Sequence, residues 1–161
     1  MKFATSLLAP AVLLAAIAAA AEGPVLDLTA GIHVIHAEIA YTNAVRMQGL
    51  MHRERLGPNQ GMIFVYPVPQ RQSFWMRNCP TPLDVGYFFA AGDLAEVYPM
   101  YPYDERPVTS RSDNIKFILE MNQGWYNARG VRPGARLDFR ALGAAVRARG
   151  FDPKKFGLDS P

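Results

Sequence analysis

The chain holds one cysteine, Cys79, among 161 residues. No intramolecular disulfide is available to it, so its stability must come from packing, unless two chains cross-link. A reactive thiol needs a neighbouring cation or a helix N-terminus, and Arg77 is near only in sequence; the favoured reading is a buried thiol acting as a small hydrophobe. Histidine is also scarce, with His33, His36 and His52. His33 and His36 are three apart in an alternating segment and so face opposite sides of a strand. With no H-x-H or C-x-x-C spacing, neither a metal site nor a cofactor is expected. No G-x-S-x-G, P-loop or dinucleotide fingerprint occurs, which leaves hydrolase elbows and nucleotide cradles unsupported. Charge of one sign is not concentrated either. The formal net charge is +3 and the arginines are scattered, so nucleic acid is not an expected partner.

Long apolar runs are confined to the N-terminus, MKFATSLLAPAVLLAAIAAAAEG, where Lys2 precedes an apolar stretch over residues 7–19 and small residues lead to Glu22. This is the pattern of a secretory signal peptide over residues 1–21, with cleavage after Ala20 or Ala21. A membrane anchor wants roughly 20 uninterrupted apolar residues; this run is shorter and contains Pro10. The mature chain is expected to be exported, periplasmic or extracellular, with no stable membrane span. What remains is enough for one domain with a real core.

Residues 33–41, HVIHAEIAY, alternate Ile35, Ala37, Ile39 and Tyr41 with His36, Glu38 and Ala40, a half-buried strand. Thr42 offers an N-cap to a short helix that Gly49 ends. GPNQG is a turn, and GMIFVYP a buried strand stopped by Pro67. Residues 83–89 and LAEVYPM form a hairpin about AAGD. The Pro- and Tyr-rich residues 99–114 form a loop of a length that is more often functional than accidental. KFILEM is a further strand, with Phe117, Leu119 and Met121 on one face and Ile118 and Glu120 on the other. A single helical turn near Trp125 and a last strand near residues 137–139 follow. The expected organisation is an N-terminal linker over residues 22–32, a β-rich domain over 33–140, and a short basic helix with a polar tail over 141–161. The expected fold class is mainly β (β-rich α+β): a small single-domain β-barrel or sandwich with one or two short helices.

Four segments stand in fixed order: Thr42 with RMQGLMHRERL, then GMIFVY, then FWMRNCPTPLDVGYF, then ILEMNQGW. Together they closely resemble the bacterial and archaeal family catalogued as domain of unknown function 192, whose pattern runs T-x3-R-x2-GLM-x-R-x2-L, GMLFxF, FWMKNT-x2-PLD and VLE-x2-G. The resemblance covers residues 33–139. It implies a mostly β fold with a short helix, commonly in exported or membrane-associated settings, and no established activity. It marks, among others, Arg46, Met51, Arg53, Gly61, Trp75, Met76, Asn78, Asp84 and Glu120. Arg77 stands where the family usually has Lys, and Cys79 where it usually has Thr, so a thiol role is not a family function.

Asp84 and Glu120 each lie in an apolar strand context. In a barrel both are placed to reach one concave surface with Arg46, Trp75 and Asn78, and these five are the candidate ligand-binding residues. Two carboxylates near an arginine can act as a general acid/base pair, one of them raised by burial. Alternatively, Arg46 or Arg77 pairs with Asp84 or Glu120 in a structural ion pair. Trp75, with Tyr98, Tyr101 and Tyr103 in the neighbourhood, either forms a platform for a flat-faced ligand or covers the barrel end. Two functions follow. The first is a ligand- or partner-binding accessory domain of the cell envelope, taking a saccharide, a peptide or an envelope protein. The second is a small hydrolase or lyase using Asp84 and Glu120.

Overall fold

The computed structural model describes residues 25–30, 32–138 and 140–158; the expected signal peptide, residues 1–21, lies outside the described residues. Strand β1 (Val25–Ala30) pairs along its whole length with β2 (His33–Ala40). This segment, expected as linker, is thus part of the sheet. Buried Leu28 and Ala30 alternate with exposed Asp27 and Thr29, a period-2 signal too short and too polar to stand out without its partner strand.

Helix α1 (Asn43–Gln48) carries the chain from β2 to β3 (Gln60–Gln70), which runs parallel to β2. Parallel neighbours cannot be joined by a tight turn, so this crossover must pass over one face of the sheet. Thr42 Oγ1 caps the helix by accepting from Val45 N at 3.3 Å, and Gly49, at φ 49°, closes it with its N–H on Val45 O. Next come β4 (Ser73–Phe74), the expected hairpin β5 (Leu83–Phe89) with β6 (Leu94–Met100), and β7 (Val108–Thr109), which pairs with β4 in a separate ladder. Much of the expected 99–114 loop is therefore tied down. Strand β8 (Ile115–Asn122) inserts between β5 and β3. Helix α2 (Trp125–Ala128), strand β9 (Leu137–Asp138) beside β1, and helix α3 (Arg140–Ala148) complete the elements, with a 3-10 turn at Pro153–Phe156.

The main sheet has the order β6-β5-β8-β3-β2-β1-β9. It curls into a half-barrel whose outer strands meet at one end: Asp93 bridges to Arg136, Leu94 N donates to Ala135 O at 2.8 Å, and Leu137 N donates to Gly92 O at 2.9 Å. The mainly β expectation holds.

Each face of the sheet carries its own core. On one, Ile35, Ile63, Phe117 and Leu119 pack with Trp125, Tyr126, Leu142 and Phe156; on the other, Phe64, Val85, Tyr87 and Ile118 pack with Leu50, Phe74, Met76 and Cys79. Strands β5 and β8 are covered on both sides, which is why they read as continuous apolar runs. Helix α3, where a short basic helix is expected, buries Leu142 and Val146, and the tail expected to be polar buries Pro153 and Phe156. Leu142 and Val146 are one helical turn apart, so α3 lays a single apolar stripe on the first core.

Candidate functional site

The crossover leaves a pocket between α1, the segment after it, and the second face of the sheet. Arg46 fixes the helix over this face. Its Nη1 donates to Tyr41 O at 2.8 Å and to Val65 O at 2.7 Å, its Nη2 donates to Asn43 Oδ1, and the guanidinium lies 4.7 Å from the centre of the Tyr66 ring. One side chain thus ties the start of α1 to the end of β2 and the middle of β3. Burial lowers the Arg46 pKa, partly offset by Tyr66.

The segment after α1 is stitched to residues 76–83. His52 N donates to Asn78 O at 2.8 Å, Thr81 Oγ1 donates to Arg53 O, and the Cys79 thiol points at Leu50 O at 3.6 Å. Arg53 pairs with Glu38 at 3.0 Å. Asn78 adopts a left-handed backbone at φ 54°, a conformation that Asn tolerates better than most residues. It serves the fold through that turn and its carbonyl.

The pocket has a volume of about 330 Å³ counted out to its open mouth. Its deep wall is Glu120, Phe64, Leu83, Met76 and Cys79, all nearly inaccessible, whereas Met47, Trp75 and Arg77 stand at the rim. Trp75 is 45% exposed and carries the Arg77 guanidinium 5.5 Å from its ring centre. The indole also borders a second, smaller concavity shared with Tyr101, Pro99 and Asp104. Tyr98 takes no part in either, because its hydroxyl donates to Glu96 Oε2 at 2.6 Å.

Glu120 dominates the electrostatics. It is 4% exposed, and its carboxyl has no hydrogen-bond or ion-pair partner among the described residues. Burial alone pushes its pKa up to about 8, because the charged form loses its hydration and gains nothing in return. The Cys79 thiol is pushed up to about 11, by burial first and then by the neighbouring Glu120, and is therefore unreactive at neutral pH. Burial raises the pKa of Tyr66 and Tyr87 too, with Glu120 contributing to both. Burial thus favours the protonated form of Glu120, in a pocket that Arg46 and Arg77 also line.

The expected carboxylate pair is not formed. In the sheet register Asp84 lies opposite Met121, whereas Val85 lies opposite Glu120. Directly paired residues share a face, so Asp84 points into the first core and Glu120 into the second. Asp84 Oδ2 instead accepts from Gly124 N at 2.8 Å, anchoring the turn into α2 where Gly124 has φ 85°. Burial raises its pKa and that N–H draws it back. Replacing Asp84 by Ala should cost about 1–3 kcal/mol in urea unfolding and leave the Glu120 midpoint, followed by carboxyl NMR, where it was. A moved midpoint would count against the two-face geometry.

Of the five candidate ligand residues, the pocket brings Arg46, Trp75 and Glu120 together; Asp84 lies on the other side of the sheet and Asn78 lines neither concavity. No group of three His, Cys, Asp or Glu side chains suited to a metal occurs among the described residues. Sequence reasoning passed over Met47, Met51 and Met76 as pocket walls. The QGLM and FWM motifs were the available signal, since both segments flank the crossover.

A match to a family profile covers residues 26–139. The chain belongs to the domain of unknown function 192 family, described as an uncharacterized ACR. The chain also resembles solved structures. One, a protein of unknown function from Novosphingobium aromaticivorans, is 33% identical, with a TM-score of 0.67, covering 71% of this chain and 84% of that one. Another, a "putative transcription regulator" from Sinorhizobium meliloti, is 30% identical, with a TM-score of 0.65, covering 70% of this chain and 89% of that one. No curated protein matches. The profile of the domain of unknown function 192 family spans both flanks of the pocket, and it begins within β1 rather than at β2.

Proposed function

We propose that this chain is an exported accessory domain of the cell envelope that binds a peptide segment of a partner in the pocket beneath α1. The observation that carries this reading is a concavity with one buried acid at its base: Asp84 lies on the other face, and Glu38 and Glu96, which share the face of Glu120, are already held by Arg53 and by the Tyr98 hydroxyl with the N–H groups of Arg111 and Ser112. Acid/base hydrolysis or elimination by Asp84 with Glu120 would need both groups within reach of one substrate, and the sheet stands between them. The narrow, methionine-walled space suits an inserted side chain better than a sugar ring, which favours a peptide over a saccharide. Methionine thioethers adapt to varied apolar shapes, as partner-binding surfaces require. The signal-like N-terminus supports the export half of the reading.

The test is a thermal-shift screen of the full chain against panels of envelope peptides and saccharides, since a ligand of the native state alone raises Tm. Peptides are expected to raise it by several degrees at saturation, with the shift lost in Trp75→Ala. If saccharides bind and peptides do not, the peptide reading fails. If neither panel shifts a folded chain, the binding role fails with it.

A further inference from the structure

We propose that the pocket receives a primary ammonium group on a slim aliphatic stem, a lysine side chain or a free alkylamine, with Glu120 as its counter-ion. This rests on the pocket being a binding site and names what that site recognises.

Glu120 lies on β8, a strand covered on both faces, with Val85 and Met62 opposite it in the neighbouring strands. Other acids set into the sheet are compensated from within the chain. Glu38 has Arg53, Asp84 has the Gly124 N–H, and Glu96 has the Tyr98 hydroxyl with the N–H groups of Arg111 and Ser112. Glu120 has none of these and faces the pocket. A buried carboxyl without a partner costs stability that an apolar residue would not cost. The group that relieves it most is a cation arriving from outside.

The cations already present do not serve. Arg46 directs its donors to Tyr41 O, Val65 O and Asn43 Oδ1, and Arg77 rests on the Trp75 ring at the rim. An ammonium is compact, whereas a guanidinium is a planar fork that needs width for its paired hydrogen bonds; the slim interior favours the first. Met51, Met76, Phe64 and Phe74 supply apolar walls for a methylene stem, and the exposed Trp75 ring at the mouth favours a passing cation.

The proton balance follows. The ligand enters as R–NH3+, Glu120 releases its proton to solvent, and the carboxylate–ammonium pair remains. Affinity therefore rises as pH climbs towards about 8 and falls once the free amine deprotonates above roughly 10. Across this window the other groups facing the carboxyl keep their charge state. Tyr66 on β3, Tyr87 on β5 and Cys79 on the connecting segment are raised and stay neutral. Tyr126, from the other face, is held well above its ordinary value. Arg46 and Arg77 also line the pocket, and Glu38 on β2 is paired with Arg53.

Carboxyl NMR of Glu120 in the full chain tests this with two probes, n-butylamine and the peptide acetyl-Gly-Lys-Gly-amide, against the norleucine analogue of that peptide. At saturation an ammonium probe should lower the Glu120 midpoint by at least one pH unit, and Glu120→Gln should weaken its binding tenfold or more while amide spectra stay native. A response to butylamine alone assigns the ammonium to a free amine; a response to the lysine peptide identifies a polypeptide source. If neither probe moves the midpoint, the proposal is overturned. If the norleucine peptide binds as tightly as the lysine peptide, the pocket stands as a binding site and the ammonium assignment falls.

Discussion

Between pH 4 and pH 9 the wild-type chain should lose on the order of 5 kcal/mol of stability relative to Glu120→Gln. The carboxyl titrates near 4.5 when unfolded and at about 8 when folded. Between these values the native state holds a proton that the unfolded state has released, so stability falls as pH rises through the window. Below it both states are protonated and the penalty vanishes; above it the full penalty is present. Gln keeps the shape and removes the charge, so the difference between the two curves isolates this group from every other titration. The loss is a large share of the 5–15 kcal/mol that holds a typical domain together. Urea unfolding of both proteins at half-unit pH steps measures it. Parallel curves would mean that Glu120 finds a charge partner in solution, and the pocket electrostatics would have to be redrawn.

Gly61→Ala should destabilise the chain by about 3 kcal/mol or more. Gly61 opens the buried part of β3, opposite Met121 on β8, and a Cβ there would lie 2.3 Å from Glu120 O and 2.4 Å from Met121 Sδ. The sulfur could swing away. The carbonyl belongs to the central strand and cannot move without parting β3 from β8. Gly57→Ala is the control, because the nearest atoms its Cβ would meet belong to the flexible Gln60 side chain, at 3.0 Å, and it should cost under about 1 kcal/mol. The same substitution at Gly61 should bring the Glu120 midpoint down towards ordinary carboxylate values, as the widened strand pair admits water. Urea midpoints and carboxyl NMR provide the two readouts. Equal costs at Gly57 and Gly61 would show that the β3–β8 contact relaxes freely.

Local pattern was a good guide wherever a segment interacts mainly with itself. Thr42 caps its helix, AAGD turns its hairpin, and Phe117, Leu119 and Met121 share one face of β8 as their spacing required. It failed where identity comes from a partner. Residues 25–30 read as a linker until β2 is placed beside them, and residues 151–158 read as a polar tail until the first core is there to receive Phe156. Asn78 looked like a ligand group because it is polar among aromatics; its function in the fold is a left-handed turn, visible only in the backbone.

The segment FWMRNCPTPLDVGYFF and the ILEM of β8 settled, from sequence alone, that the domain is β-rich, to which family it is similar, and that Asp84 and Glu120 stand in apolar surroundings. Whether those two carboxylates meet was decided by tertiary structure. Alternation along a strand assigns each residue a side of its own strand, but the relation between strands depends on register, and a shift of one residue reverses every face. Pairing Val85, not Asp84, with Glu120 sends one acid to a backbone N–H and leaves the other alone at the base of a pocket.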